Sequence, residues 1–261
     1  MVGVGVMGET ILSGLLRAGY PPNSLIAVDH HPDRIGQIAA RYSVNTAKLP
    51  DAAAQADTVM VVVKPNDARA VLAEIGAYMR PGTLVVSLCA GLTTAQLEEP
   101  LPAGTPVVRV MPNTPAQVSE GMSAVSAGSA ASPEHLRQAT ELMSAVGKAV
   151  VVDEKYQDAV TAVSGSGPAY LFLVAESMID AGVLLGLPRD LATELTVQTM
   201  VGSAKLLAET GTHPAILRDR VTSPGGTTAA ALRALDSHAL KSAFQDAMEA
   251  ACTRSQELSA P

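Results

Sequence analysis

At 261 residues the chain has room for one large domain or two ordinary ones, and 48% hydrophobic against 16% charged residues argues against disorder. A formal net charge of −7, with no cluster of Lys and Arg, argues against a nucleic-acid surface. Aromatics amount to 3% with no Trp, so the core must be built from Ala, Val, Leu and Met.

The chain opens on Gly3-Val4-Gly5-Val6-Met7-Gly8, a GxGxxG run leading into a helix predicted over 10–18. The first glycine permits a tight turn, the second lets backbone approach a pyrophosphate, and the third allows close helix–strand packing. Short Val-rich runs predict buried strands over 25–29, 58–63, 83–87, 107–110 and 149–152. Between them, apolar residues at helical spacing predict helices over 32–41, 66–78, 93–99 and 133–145. This alternation implies a parallel sheet covered by helices on both faces. From about Asp153 strand runs give way to Ala/Leu/Met-rich helical segments over 168–185, 189–209, 214–221, 227–234 and 240–258. Residues 1–152 are thus expected to form a dinucleotide-binding domain and 153–261 an all-α one. The long segments are apolar on more than one face, which predicts a homodimer. The apolar stretch 170–187 carries Glu176 and Asp180, costly in lipid, and is expected to be a buried helix with no membrane span.

Candidate site residues cluster at turns. Asp29 ends the predicted strand over 25–29, 21 positions after Gly8, where a carboxylate can bond ribose hydroxyls of NAD; Arg34 could instead hold the 2′-phosphate of NADP. NADP is the expected cofactor, with NAD left open. Adjacent His30 and His31 read as a solvated loop, and no metal is expected. Val63-Lys64-Pro65, Cys89-Ala90 and Asn113 follow strands at the carboxyl edge, where ligands of open α/β sheets lie. In the helical part, Ser164-Gly165-Ser166-Gly167 precedes Pro168, and Gly225-Gly226-Thr227-Thr228 repeats a glycine turn before a helix start. Both present free amides suited to a small carboxylate. Cys89 and Cys252 lack metal or disulfide spacing, and a glycine turn stands where a signal peptide would, so a reducing cytoplasm is expected.

The runs SGSGPAY (from Ser164), TSPGGTT (from Thr222), VKP (from Val63), VMPNTP (from Val110), HPAILRD (from His213) and the opening GxGxMGE together resemble pyrroline-5-carboxylate reductases. The resemblance covers essentially the whole chain. It implies a Rossmann domain, a helical dimerisation domain, often a larger ring of dimers, and reduction of a five-membered cyclic imine to L-proline. It assigns the substrate carboxylate to Ser164–Gly167 and Gly225–Thr227 as numbered above, and the ring nitrogen to Thr228. Two other readings stand beside it: a β-hydroxyacid dehydrogenase, disfavoured because no Lys lies between Lys155 and Lys205, and a non-catalytic nucleotide-binding regulator. In place of the Asn such enzymes often use against the adenosine stands Lys48-Leu49-Pro50-Asp51, so that contact is not carried over. Only Met1 and Val2 precede Gly3, whereas a central strand runs about five or six residues. The expectation is that apolar residues precede Met1 in the natural protein and that their lack leaves a gap between the helix layers.

Overall fold

A computed structural model of the protein describes residues 1–259. Two compact units are present: Met1–Ser166, joined by the residues from Ala251 onward, and Gly167–Ala250.

The first unit carries β1 (Ile26–Ala27), β2 (Asn45–Thr46), β3 (Thr58–Val61), β4 (Leu84–Ser87), β5 (Val107–Met111), β6 (Gly121–Ala127) and β7 (Gly147–Val151). The last five form one sheet in that order, and β1 pairs with β2. Val2 joins the two sets by parallel bridges to Val28 and Val61. Its amide donates to Met60 O and its carbonyl accepts from Val62 N, each at 2.8 Å. Val59 and Val61 belong to one apolar cluster, with Leu72 and Ile75, and Met60 to another, with Ile11, Leu15 and Met143. This period of two is what a sheet covered on both faces demands. Each fully buried Val or Leu contributes about 1.5–3 kcal/mol.

The sheet departs from the all-parallel expectation at β6, which runs antiparallel to β5. That strand reads GMSAVSA, with one β-branched residue among small ones, so no Val-rich run announces it. Ser123 and Ser126 are buried in it, and Ser126 Oγ is satisfied by Val152 O and Gln157 Nε2.

The helices of this unit are α1 (Val6–Arg17), α2 (Pro32–Tyr42), α3 (Leu49–Gln55), α4 (Pro65–Tyr78), α5 (Thr94–Glu98), α6 (Pro133–Ser144) and α7 (Gln157–Val160). Proline at the first turn starts α2, α4 and α6, where its missing N–H costs nothing. Thr93 with Gln96 and Ser132 with His135 close capping boxes on α5 and α6. Beside the short first strand lies a cavity of about 500 Å³ lined by Met1, Val2, Leu15, Tyr20, Ile26 and Met60 among others.

The second unit is helical: α8 (Gly167–Leu184), α9 (Arg189–Thr210), α10 (Pro214–Arg220), α11 (Thr227–Ser237) and the first part of α12 (Leu240–Ser259). Gly186, at φ +97°, ends α8 in the left-handed conformation, and Leu187 N returns to Gly182 O at 3.1 Å. A Cβ on Gly182 would stand 3.1 Å from Ala192 Cβ, so small residues set the α8–α9 approach.

The expectation of a buried helix over 170–187 fails. No residue of α8 is buried; Leu173 is 62% exposed and Leu184 88%. On α9 only Ala192 and Thr196 are buried. The stretch Glu154–Leu184 is also long and apolar enough to cross a membrane by length and composition. The reason is arithmetical: beyond the α8–α9 hairpin this unit has only α10, α11 and the first part of α12, too little to lie over those faces.

Candidate active site

The glycine loop is built from three different constraints. Gly3 sits at φ +87°, and a Cβ there would collide with the carbonyl of Val62. A Cβ on Gly8 would collide with the carbonyl of Gly3. At Gly5 nothing lies within 4 Å of the position a Cβ would take, so the loop is open on that side. Gly5 caps α1 with no side-chain bond, leaving the amides of Val6, Met7 and Gly8 at an uncapped helix start. An open cradle of amides at a helix N-terminus fits a dinucleotide pyrophosphate.

Asp29 is folded back onto this loop. Its Oδ2 accepts from Val4 N at 2.9 Å and its Oδ1 from His31 N at 3.0 Å. Burial would raise its carboxyl, but these two amides, with His30 and His31 nearby, hold it below the ordinary carboxylate range. Arg34 is committed elsewhere: Nε donates to Val4 O at 2.7 Å, and Nη2 pairs with Glu9. Glu9 also takes Tyr42 Oη at 2.8 Å and Arg41 at 3.0 Å. Burial alone would raise Glu9, yet these partners hold it low. Arg34 therefore does not stand free for a 2′-phosphate, as the sequence suggested it could. A cavity of about 620 Å³ adjoins the loop, lined by Gly3, Asp29, His30, Lys48, Val63 and Glu74 among others. Motif spacing does not single out Lys48 or Glu74 as site residues: the β1–β2 pairing brings residues 46–48 to this cavity, and α4 brings Glu74. Ligand atoms of Asp29, His30 and His31 lie within 4.8 Å of one another.

Along the carboxyl edge, Lys64 caps α4 and Pro65 begins it, while Val63 lines the cavity just described. Cys89 is buried, its thiol directed to Val63 O at 3.4 Å, and burial pushes the thiol up. The Cys89 amide donates to Ser87 Oγ at 3.3 Å, whereas Ala90 is exposed. Asn113 bridges two segments: Oδ1 accepts from Met122 N at 2.8 Å, and Nδ2 donates to Ser164 O at 3.1 Å.

That bond joins the end of β5 to the serine–glycine segment, which is not the break in helix the sequence suggested. Residues Thr161–Gly165 form a π turn, and Ser166 N donates to Thr161 O at 2.8 Å. The Ser166 amide is thus occupied, which corrects the expectation of a free one. Ser164 Oγ donates back to Val160 O at 3.1 Å. A Cβ on Gly165 would stand 2.6 Å from Met111 Cε, the free end of a flexible side chain that would have to swing aside. Wide turns of this kind recur at functional sites. Gly167 begins α8 in the second unit, with nothing within 4 Å of a Cβ position.

The other glycine turn lies wholly in the second unit. Gly225 adopts φ +68°, and Gly226 N donates to Ser223 O at 3.0 Å. Gly226 caps α11 without a side-chain bond, so the amides of Thr227 and Thr228 open that helix uncapped. Among the described residues the half-buried Thr228 hydroxyl makes no hydrogen bond, unlike the mid-helix threonines Thr193 and Thr199, which bond back one turn.

Comparison with known proteins bears on the whole chain. Residues 154–258 match a family described as pyrroline-5-carboxylate reductase dimerisation, and residues 1–91 one described as NADP oxidoreductase, coenzyme F420-dependent. A pyrroline-5-carboxylate reductase of Mycobacterium tuberculosis is 43% identical over 99% of this chain and 95% of its own length. The structure of such a reductase from Coxiella burnetii superposes with a TM-score of 0.95 at 36% identity, covering 100% and 97% of the two chains. One from Plasmodium falciparum, with NADP bound, gives 0.88 at 31%, covering 99% and 97%.

Proposed function

Because the chain belongs to the pyrroline-5-carboxylate reductase family, we propose a division of labour among its residues for the NAD(P)H-dependent reduction of 1-pyrroline-5-carboxylate to L-proline. When bound, NADPH supplies the hydride that the imine carbon receives. Gly3, Gly5, Val6, Met7 and Gly8 hold the pyrophosphate, and Asp29 stands at the adenosine end. Val63, Lys64, Pro65, Cys89, Ala90 and Asn113 border the nicotinamide half. Ser164, Gly165, Ser166 and Gly167, with Gly225, Gly226 and Thr227, receive the substrate carboxylate; at Ser166 the side chain serves, since its amide is bonded. Thr228 donates or accepts at the ring nitrogen and orients it, which helps that nitrogen hold a proton. A threonine hydroxyl is a poor acid, so this contribution is chiefly positional.

The observation that supports this reading most is the Asn113–Ser164 hydrogen bond, because it ties the serine–glycine turn to the carboxyl edge of the sheet that carries the glycine loop. The test is NADPH oxidation by the purified protein with pyrroline-5-carboxylate, run beside NADP+ or NAD+ reduction with 3-hydroxyisobutyrate or 6-phosphogluconate. Turnover is expected in the first assay and none in the second, since no Lys lies between Lys155 and Lys205 to take an alcohol proton. Faster turnover of either hydroxyacid would replace imine reduction by alcohol oxidation.

Thr228→Ala should lower turnover of the imine by on the order of 10 to 100-fold, about 1.4–2.7 kcal/mol, with cofactor affinity little changed. An unaltered rate removes Thr228 from the mechanism.

Residues 153–261 act as the dimerisation and substrate domain and 1–152 as the cofactor domain. The open faces of α8 and α9 are read as the seat of a second copy and not of lipid, with rings of dimers as the larger assembly. Sedimentation at micromolar concentration should show no active monomer. The free thiols Cys89 and Cys252 suit a reducing cytoplasm, and neither nucleic acid nor membrane has a part in this reading.

A further inference from the structure

An acidic residue at the end of the strand after a glycine loop ordinarily receives the ribose diol of NAD and repels a 2′-phosphate. In this chain that carboxylate is already engaged. Both Asp29 oxygens accept backbone amides, from Val4 and His31, and the side chain is only 9% exposed. It serves as a clamp between the glycine loop and the turn entering α2. Arg34, the nearest guanidinium in sequence, is held by Val4 O and Glu9.

Two cationic or proton-accepting groups remain at the same cavity. His30 lines it with a side chain 80% exposed, its Nδ1 3.5 Å from Asp29 Oδ1 and its ring tilted against that of His31 at a centroid separation of 3.8 Å. Lys48, from the segment after β2, lines it too and makes no ion pair among the described residues. The remaining charges at this cavity are Asp29 and Glu74, on β1's exit turn and α4.

Resting on the dinucleotide reading above, we propose that His30 and Lys48 receive the 2′-phosphate of NADPH, while Asp29 positions the loop and does not read the ribose. A phosphate at this point meets an imidazole and an ammonium approaching from different segments, β1's exit and the entry to α3. The imidazole donates a hydrogen bond in either tautomer that presents N–H, and the ammonium supplies charge that offsets the Asp29 carboxylate. An exposed Lys contributes mainly as a point charge, so its effect should fall with salt.

The test is calorimetric titration of the full chain with 2′,5′-ADP and with 5′-AMP, which differ only in the 2′-phosphate. The unaltered protein should bind 2′,5′-ADP at least 10-fold more tightly. His30→Asn and Lys48→Gln should each weaken 2′,5′-ADP by roughly 3 to 10-fold with 5′-AMP binding as before. Asp29→Asn should weaken both nucleotides alike and lower the melting temperature, as loss of a clamp would. Tighter binding of 5′-AMP by the unaltered protein, or equal losses of both nucleotides in His30→Asn and Lys48→Gln, overturns the assignment but leaves the dinucleotide site standing. Failure of the unaltered protein to bind either nucleotide removes that site and the assignment with it.

Discussion

Gly5→Val should weaken NADPH binding by on the order of 100-fold, about 2.7 kcal/mol, while leaving the melting temperature nearly unchanged. The two effects separate because nothing in the protein lies within 4 Å of the position a Cβ would occupy, and the residue's φ of −63° suits any side chain. A branched side chain there intrudes only on the space a pyrophosphate requires. Gly8→Val should do the opposite in order of severity. Its Cβ would strike the Gly3 carbonyl, which is backbone and cannot swing away, so α1 must move off the loop. Strain of this kind costs roughly 1–3 kcal/mol or more in stability, and cofactor affinity falls as a consequence. Thermal unfolding and fluorescence titration on both variants would decide. Equal loss of stability in the two would show that Gly5 is a packing residue and not a ligand-facing one.

The first unit was legible because its strands obey a period of two. Val59, Met60 and Val61 alternate between two helix layers, and a short apolar run rich in Val and closed by turn residues marks a strand covered on both faces. The glycine loop was legible for a related reason: each glycine answers a separate steric demand. Small residues conceal what Val-rich runs reveal, and so β6 escaped notice. At Ser164 to Gly167 two glycines and a proline were read as a broken helix with free amides. A π turn absorbs them instead, since bonding to the fifth residue back accommodates an extra residue without stopping the helix. Resemblance alone sets the Lys48 segment near the adenosine; that it lines the same cavity as Asp29 follows from the β1–β2 pair. On α8 the helix was foreseen and its burial was not. Burial depends on what lies opposite, and that is not contained in one chain.

If a second copy covers the bare flanks of α8 and α9, as proposed above, dilution acts as a denaturant. If those leucines and Phe172 meet water in the separated chain, folding free energy is shared between chain and assembly, and mass action enters. Each tenfold fall in protein concentration then removes about 1.4 kcal/mol per mole of assembled pair. Heat resistance becomes a property of the amount of enzyme present, so a cell making little of it would hold a more fragile protein than one making much.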